Sequence, residues 1–221
     1  MADRRRRDQA VVRALLDAHG RTYAEDAGIR LRDTPQPLYQ LLVLSVLLSA
    51  RIRGAAAVGA ARELFAAGLR DPRRMAGASW QQRVDALGRG GYRRYDERTS
   101  TQLGDGAELV EREYGGDLRR LREAAGDDDR ALRGLLQEVP GLGPTGSDIF
   151  LREVQRVWPD VAPRLGEKAL QGARRLGLPD DPKELVRLAG DADPAALAAA
   201  LVRAALDKTI AQELTAEPDG S

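Results

Sequence analysis

The run LLVLSVLLSA, residues 41 to 50, carries no charge in ten consecutive positions. As a helix it would be about 15 Å long, roughly half of what a bilayer core requires. It does not reach across a membrane, and it fits a helix buried in a protein core. No other apolar run in the chain is longer.

Elsewhere the apolar residues recur at helical spacing. Val11, Val12, Leu15 and Leu16 share one face of a helix expected over 7–19. Further helices are expected over 38–50 and 54–67, and from the start signals Asp71-Pro72 and Ser79. A Gly-rich break, GRGGY (88–92), precedes a long helix over 93–114, and two short helices lead up to Glu138. Residues 147–157 and LGEKALQGARRLG (165–177) read as helices, and Asp181-Pro182 and Asp193-Pro194 start the last two. GDDDR (126–130) is a turn or helix start, and EPDGS (217–221) reads as a frayed tail. Aromatic residues are only 4% of the chain, and Leu, Ala and Val dominate, which favours helix packing over sheet. No segment reads as a strand and no repeat is visible, so the class is all-α.

Composition excludes several functions. Without cysteine there is no disulfide, thiolate zinc site or iron–sulfur cluster. The one histidine, His19, reads as a helix-end residue near Gly20. No metal or cofactor is expected. MADRRRRDQ lacks an apolar segment behind it, so no secretory signal is expected. A net charge of +1 argues against a polycation but leaves room for a local basic face. Lysine occurs only at 168, 183 and 208, and the remaining cations are arginine. Arginine holds phosphates bidentately, and biased codon usage accounts for the bias equally well.

EVPGLGPTGSDIF (138–150) joins two amphipathic segments through a turn with two glycines. Gly141 and Gly143 can take positive φ and let a phosphate approach the backbone. Successive N–H groups in such a turn form an anion-binding nest, reinforced by the N-terminus of the next helix. Val139 and Leu142 would anchor it in the core, and Thr145 and Gly146 continue it. An ordinary helix–Gly–helix connector has the same pattern.

EVPGLGPTGSDIFLREV (138–154) resembles the helix-hairpin-helix of the endonuclease III (HhH-GPD) superfamily of base-excision DNA glycosylases. So do LYQLLVLSVLLSARIRGAAAVGAARELF (38–65), WQQRVDALGRGGYRRYDERTSTQL (80–103), WPDVAPR (158–164) and RRLGLPDDPKEL (174–185), in family order over roughly residues 35–190. The resemblance implies a two-lobed helical fold. Residues 36–157 would form a six-helix bundle ending in the hairpin. Residues 1–35 with 158–221 would form a second lobe, here without the iron–sulfur cluster of many members. It also implies double-stranded DNA, damaged or distorted, as partner. The protein would act as a monomer in the cytoplasm, associated with the nucleoid.

The family's catalytic positions are altered. Its lysine position falls on Thr145, and an alcohol there cannot form the Schiff base of strand cleavage. The Thr145 hydroxyl could instead bond backbone at a helix start. The family's aspartate position falls on Arg164 or Gly166, depending on the anchor used for counting. Glu167 is the first candidate for a displaced acid; it also suits a solvated first-turn carboxylate. Asp160 and Asp148 are further acids. Lys168 would serve as a nucleophile if an apolar pocket lowered its pKa.

For DNA reading, Arg51 stands where the family probes the gap left by an extruded base; it equally suits a phosphate contact or a helix-end cation. Arg53 lies beside it. Gly91 stands where the family has an apolar wedge. Tyr92 either takes over by stacking on bases or is a packed core residue. Arg93 and Arg94 extend the basic rim. Residues 4–7, RRRR, are a DNA-tracking arm or a solvated helix start. The expected function is DNA binding in base-excision repair and, if the protein is active, base removal without strand cleavage. The alternatives are a non-catalytic binder of damaged DNA and a helical protein-interaction scaffold.

Overall fold

A computed structural model describes residues 2–215, so the EPDGS segment lies outside the described residues. These residues form α1 (Ala2–His19), α2 (Tyr23–Asp26), α3 (Pro35–Ser49), α4 (Gly54–Ala66), α5 (Pro72–Gly77), α6 (Trp80–Arg89) and α7 (Asp96–Tyr114). They continue through α8 (Leu118–Ala125), α9 (Asp129–Gln137), α10 (Gly143–Val154), a 3-10 turn at Pro159–Val161, α11 (Gly166–Arg175), α12 (Pro182–Ala189), α13 (Pro194–Leu206) and α14 (Lys208–Thr215). No strand occurs among the described residues, and the protein is all-α.

The chain divides into two compact units. The larger is Tyr23–Val157; the smaller combines residues up to Thr22 with those from Trp158 onward. Residues 23–35, expected with the termini, belong to the larger unit. The Ala24 amide donates to the Glu153 carboxylate at 3.0 Å, and the Arg152 guanidinium lies over the Tyr23 ring, 5.8 Å from its centroid. This pairing spans well over a hundred residues, so no local pattern announces it.

In the larger unit α3 is buried almost all round. Leu38, Leu41, Leu42, Val43, Leu44, Val46 and Leu47 are all in the core. Each large apolar side chain so buried contributes roughly 1.5–3 kcal/mol. The Ser45 hydroxyl is satisfied within the helix by donating to Leu41 O at 2.8 Å. Helices α4, α8 and α10 pack against α3.

Two glycines bring α4 and the end of α6 into backbone contact. A Cβ on Gly90 would lie 2.3 Å from the Ala60 Cα, and one on Gly59 would lie 2.8 Å from Gly90 O. This contact fixes the turn that carries Tyr92. Buried Arg83 donates to Met75 O (2.9 Å), Ala78 O (2.7 Å) and Ser100 O (2.9 Å), joining α5, α6 and α7. Gly104 leaves the space its guanidinium fills.

The expected helix starts at 71, 79, 181 and 193 are capped. Asp71 accepts from Arg74 N, and Ser79 and Gln82 form a reciprocal capping box. Asp181 and Asp193 accept from Glu184 N and Ala195 N. Helix α7 begins three residues later than expected, and α10 begins at Gly143 instead of Ser147. Helix α14 was not expected; Asp207 starts it by accepting from Thr209 N at 2.9 Å.

The smaller unit is centred on α13, whose Ala and Leu residues are nearly all buried. Helix α11 crosses it closely: a Cβ on Gly172 would lie 1.9 Å from Leu201 O. Arg175 donates to Ala205 O near the end of α13, and Arg203 donates to His19 O at 3.0 Å at the end of α1. His19 thus ends α1, as its place before Gly20 suggested.

Two glycine substitutions should therefore act in opposite directions. Gly172→Ala should cost about 3 kcal/mol by forcing α11 off α13. Gly134→Ala, in open space on α9, should stabilise by about 0.5–1 kcal/mol. Urea unfolding of both variants measures this, and equal shifts would contradict the close crossing.

Candidate nucleic-acid interface

The hairpin between α9 and α10 is fixed from below and open above. Val139 and Leu142 are buried, as expected of anchors. Leu142 N donates to Val139 O at 3.0 Å, closing the turn. Gly141 and Gly143 both have positive φ, +86° and +44°. Gly141 sits tightly on its neighbours: a Cβ there would meet Val46 of α3 at 3.0 Å and Gln102 of α7 at 3.1 Å. Gly106 of α7 admits Val139 in the same way: a Cβ there would lie 3.2 Å from the Val139 Cγ1. Glycine within a helix costs about 1 kcal/mol relative to alanine, and here it lets α7 support the turn.

Gly143 faces open space, and Pro144 and Thr145 are exposed. Pro144 stands in the first turn of α10, where its missing N–H costs no helical bond and its fixed φ suits the helix. That is why α10 starts four residues before the expected position. The first amides of a helix have no intrahelical acceptor, and no side chain caps this N-terminus. Its Gly143 and Thr145 amides lie at the surface end of the helix. Gly146, by contrast, is buried against Leu142 and Ser45 O, which makes it a packing glycine.

Two side-chain links clamp the hairpin. Gln137 Nε2 donates to Ser147 Oγ at 3.1 Å, and Arg133 forms an ion pair with Asp148. Ser147, in turn, donates to Pro144 O at 2.9 Å. The side-chain bond to backbone expected of Thr145 is thus made by Ser147. Asp148 is engaged by a cation on α9. Glu138, just before the turn, is exposed.

Beside Gly141 lies an open depression of about 280 Å³, lined by residues of α3, α7 and the loops around them. It brings together Arg51, Tyr92 and Gly141, three residues singled out in the sequence. It adds Tyr95, Arg98 and Gln102, which were not. None of its lining residues is acidic. Tyr95, Arg98, Thr99 and Gln102 recur at i, i+3, i+4 and i+7, the spacing of one helix face. That stripe was the available signal. Arg51 and Arg98 are exposed. Because α3 ends at Ser49, Arg51 sits in the loop beyond the helix rather than on its last turn.

Tyr92 is only 1% exposed, so its ring is not available to stack on a base. Burial pushes its phenol above the usual range, and Thr99 Oγ1 donates to its hydroxyl at 3.3 Å. The wedge role considered for Tyr92 is therefore corrected: it is a core residue. Gly91 next to it has φ +86° and no side chain to insert. Arg53, Arg93 and Arg94 are exposed, and Arg94 lies 5.3 Å from the Tyr95 ring centroid.

Apart from Thr145 and Asp148, the residues that the resemblance offered as candidates for chemistry lie in the smaller unit. Gly166, with φ +76°, opens α11. Glu167 follows it, with a side chain 79% exposed and ion-paired to Arg174 along the same helix. Arg174 also reaches Asp180 at 3.6 Å. This is the solvated first-turn carboxylate. Lys168 is exposed, and its Nζ donates to Gln171 Oε1 at 2.9 Å. No apolar pocket surrounds it, which removes the basis for a nucleophilic lysine. Arg164 is half-buried, its Nε donates to Val161 O at 3.1 Å, and burial lowers its pKa. Asp160 lies in the 3-10 turn and is exposed.

Among the described residues no cluster of metal-ligating side chains occurs, and no helix is long and apolar enough to cross a membrane. Compared with family models, curated proteins and solved structures, the chain matches none.

Tyr92 gives a direct check on this geometry. Tyr92→Ala should cost about 3–5 kcal/mol, as for a large buried side chain. Tyr92→Phe should stay within about 1.5 kcal/mol of the parent. Thermal unfolding of the pair measures both, and a stable alanine variant would mean the ring is not in the core.

Proposed function

We propose that this chain binds double-stranded DNA, damaged or distorted, as an endonuclease III-like protein of base-excision repair. One observation carries the reading: a surface hairpin with two positive-φ glycines on buried anchors, next to a depression lined by two arginines and no acid. Backbone amides and guanidiniums are donors suited to phosphate oxygens. Contacts of this kind supply affinity and register with little sequence information. Arg53, Arg93 and Arg94 would extend the grip along the duplex. The protein would act as a monomer.

The chemistry has two forms. In the first the protein extrudes a base and removes it with Glu167 as the acid, leaving the strand intact. In the second it recognises the lesion without catalysis. The setting of Glu167 favours the second, since an exposed carboxylate paired with Arg174 is poorly placed to stabilise a developing cation in a desolvated site. In both forms Thr145 excludes Schiff-base strand cleavage at the family's lysine position.

Binding to a duplex with an abasic-site analogue, measured at several salt concentrations, should give a log–log slope of about −0.9 per phosphate neutralised. Gly143→Val places a β-branched residue at positive φ, a cost of about 1–2 kcal/mol. It should weaken binding about tenfold or more with helix content retained. Unchanged affinity would defeat the hairpin assignment.

Duplexes with damaged bases should stay unbroken without alkali. Breaks that appear only after alkali and vanish in Glu167→Gln support base removal. No breaks across the panel support the non-catalytic form, and breaks without alkali contradict both.

A further inference from the structure

We infer that the depression beside Gly141 is a second phosphate site, with Arg98, Arg51 and Gln102 as its ligands, distinct from the hairpin amides. The inference rests on the DNA-binding reading and names the part of the duplex held there: a backbone phosphate with its sugar, adjacent to the one on the hairpin.

The argument begins with the donors. Arg51 and Arg98 supply guanidinium N–H groups, which only donate. Gln102 supplies an amide with two N–H donors and is seated against Gly141, where its Oε1 would lie 3.1 Å from an added Cβ. Below them are two hydroxyls from buried side chains, Thr99 and Tyr92. They hold two protons and spend one between their oxygens, at 3.3 Å. No lining residue is a carboxylate. A site rich in donors and lacking negative charge suits an oxyanion. The volume, about 280 Å³, leaves room for the adjoining sugar.

Placement supports the same conclusion. Gly141 belongs to both features: it is part of the hairpin turn and lines the depression. A chain held by the Gly143 and Thr145 amides therefore passes the depression within one turn of the hairpin. Arg98 is exposed on the first turns of α7, and Arg51 stands in the loop after α3. The two cations come from different elements, and both line the depression.

The test uses the full chain and the abasic-analogue duplex, followed by fluorescence anisotropy across salt. Arg98→Ala removes one guanidinium from an exposed position, and circular dichroism checks that its helix content is unchanged. The expected result is a weaker affinity with a salt slope reduced by about one. Gln102→Leu should weaken binding with the slope kept, since an uncharged ligand is lost. Arg73→Ala, an exposed cation on α5, should change neither.

If Gly143→Val weakens binding but Arg98→Ala leaves affinity and slope intact, this site is overturned while the hairpin stands. If the parent chain binds no duplex at all, the DNA reading itself fails. The depression is then judged alone by titrating inorganic phosphate and thymidine 5′-monophosphate against the Gln102 side-chain amide resonances. Shifts that Arg98→Ala abolishes support an anion site, with a stronger response to the nucleotide expected from the volume. No shift with either overturns it.

Discussion

Helix α3 is buried almost all round beyond its first turn, and the larger unit is arranged to cover it. Helices α4, α8 and α10 lie on it. Because α10 is one of the covering helices, burial of α3 also decides where the N-terminus of α10 emerges. Val46 of α3 touches the position of Gly141, and Ser45 O lies under Gly146. The hairpin is thus positioned by apolar burial several residues away from its own glycines. A polar substitution within α3 would move the hairpin amides without touching them.

Glycine has two separate uses here. Gly141 and Gly143 supply positive φ in a turn. Gly59, Gly90, Gly104, Gly106 and Gly172 supply room instead: each faces backbone or a side chain where a Cβ would intrude. The second use explains why a chain rich in helix carries glycine in helix interiors. It also ties the donors together, since Gly104 and Gly106 hold α7 against Arg83 and Val139, and α7 brings Arg98 and Gln102 to the hairpin.

The parts legible in the sequence were those with local signatures. The charge-free run at 41–50 marked the central helix, and Asp or Ser before Pro or an apolar period marked four helix starts. The alternation of Val139, Gly141, Leu142 and Gly143 marked anchors and turn. Less legible was whatever depended on contacts distant in the chain. Residues 23–35 fold on the larger unit through buried Glu153, which nothing near Tyr23 announces. Tyr92 follows a Gly–Gly turn that also suits an exposed ring, and its burial goes with the close approach of Gly90 to Ala60, far away in the sequence. Arg98 was hidden because arginine is common throughout the chain; its i+4 relation to Gln102 was informative only once the start of α7 was fixed. The start of α10 is not legible because Gly143 and Pro144 suit a loop by composition, although proline is equally well suited to the first turn of a helix.

The central claim is that the amides at the start of α10 hold a DNA backbone. The most direct test is to titrate duplex DNA into isotope-labelled protein and follow the backbone amide resonances. The account predicts that Gly141, Gly143 and Thr145 shift among the most strongly, at a ratio of one protein per site. It would be contradicted if those three stayed in place while amides around Trp80 or Leu206, the exposed large apolar residues, moved instead.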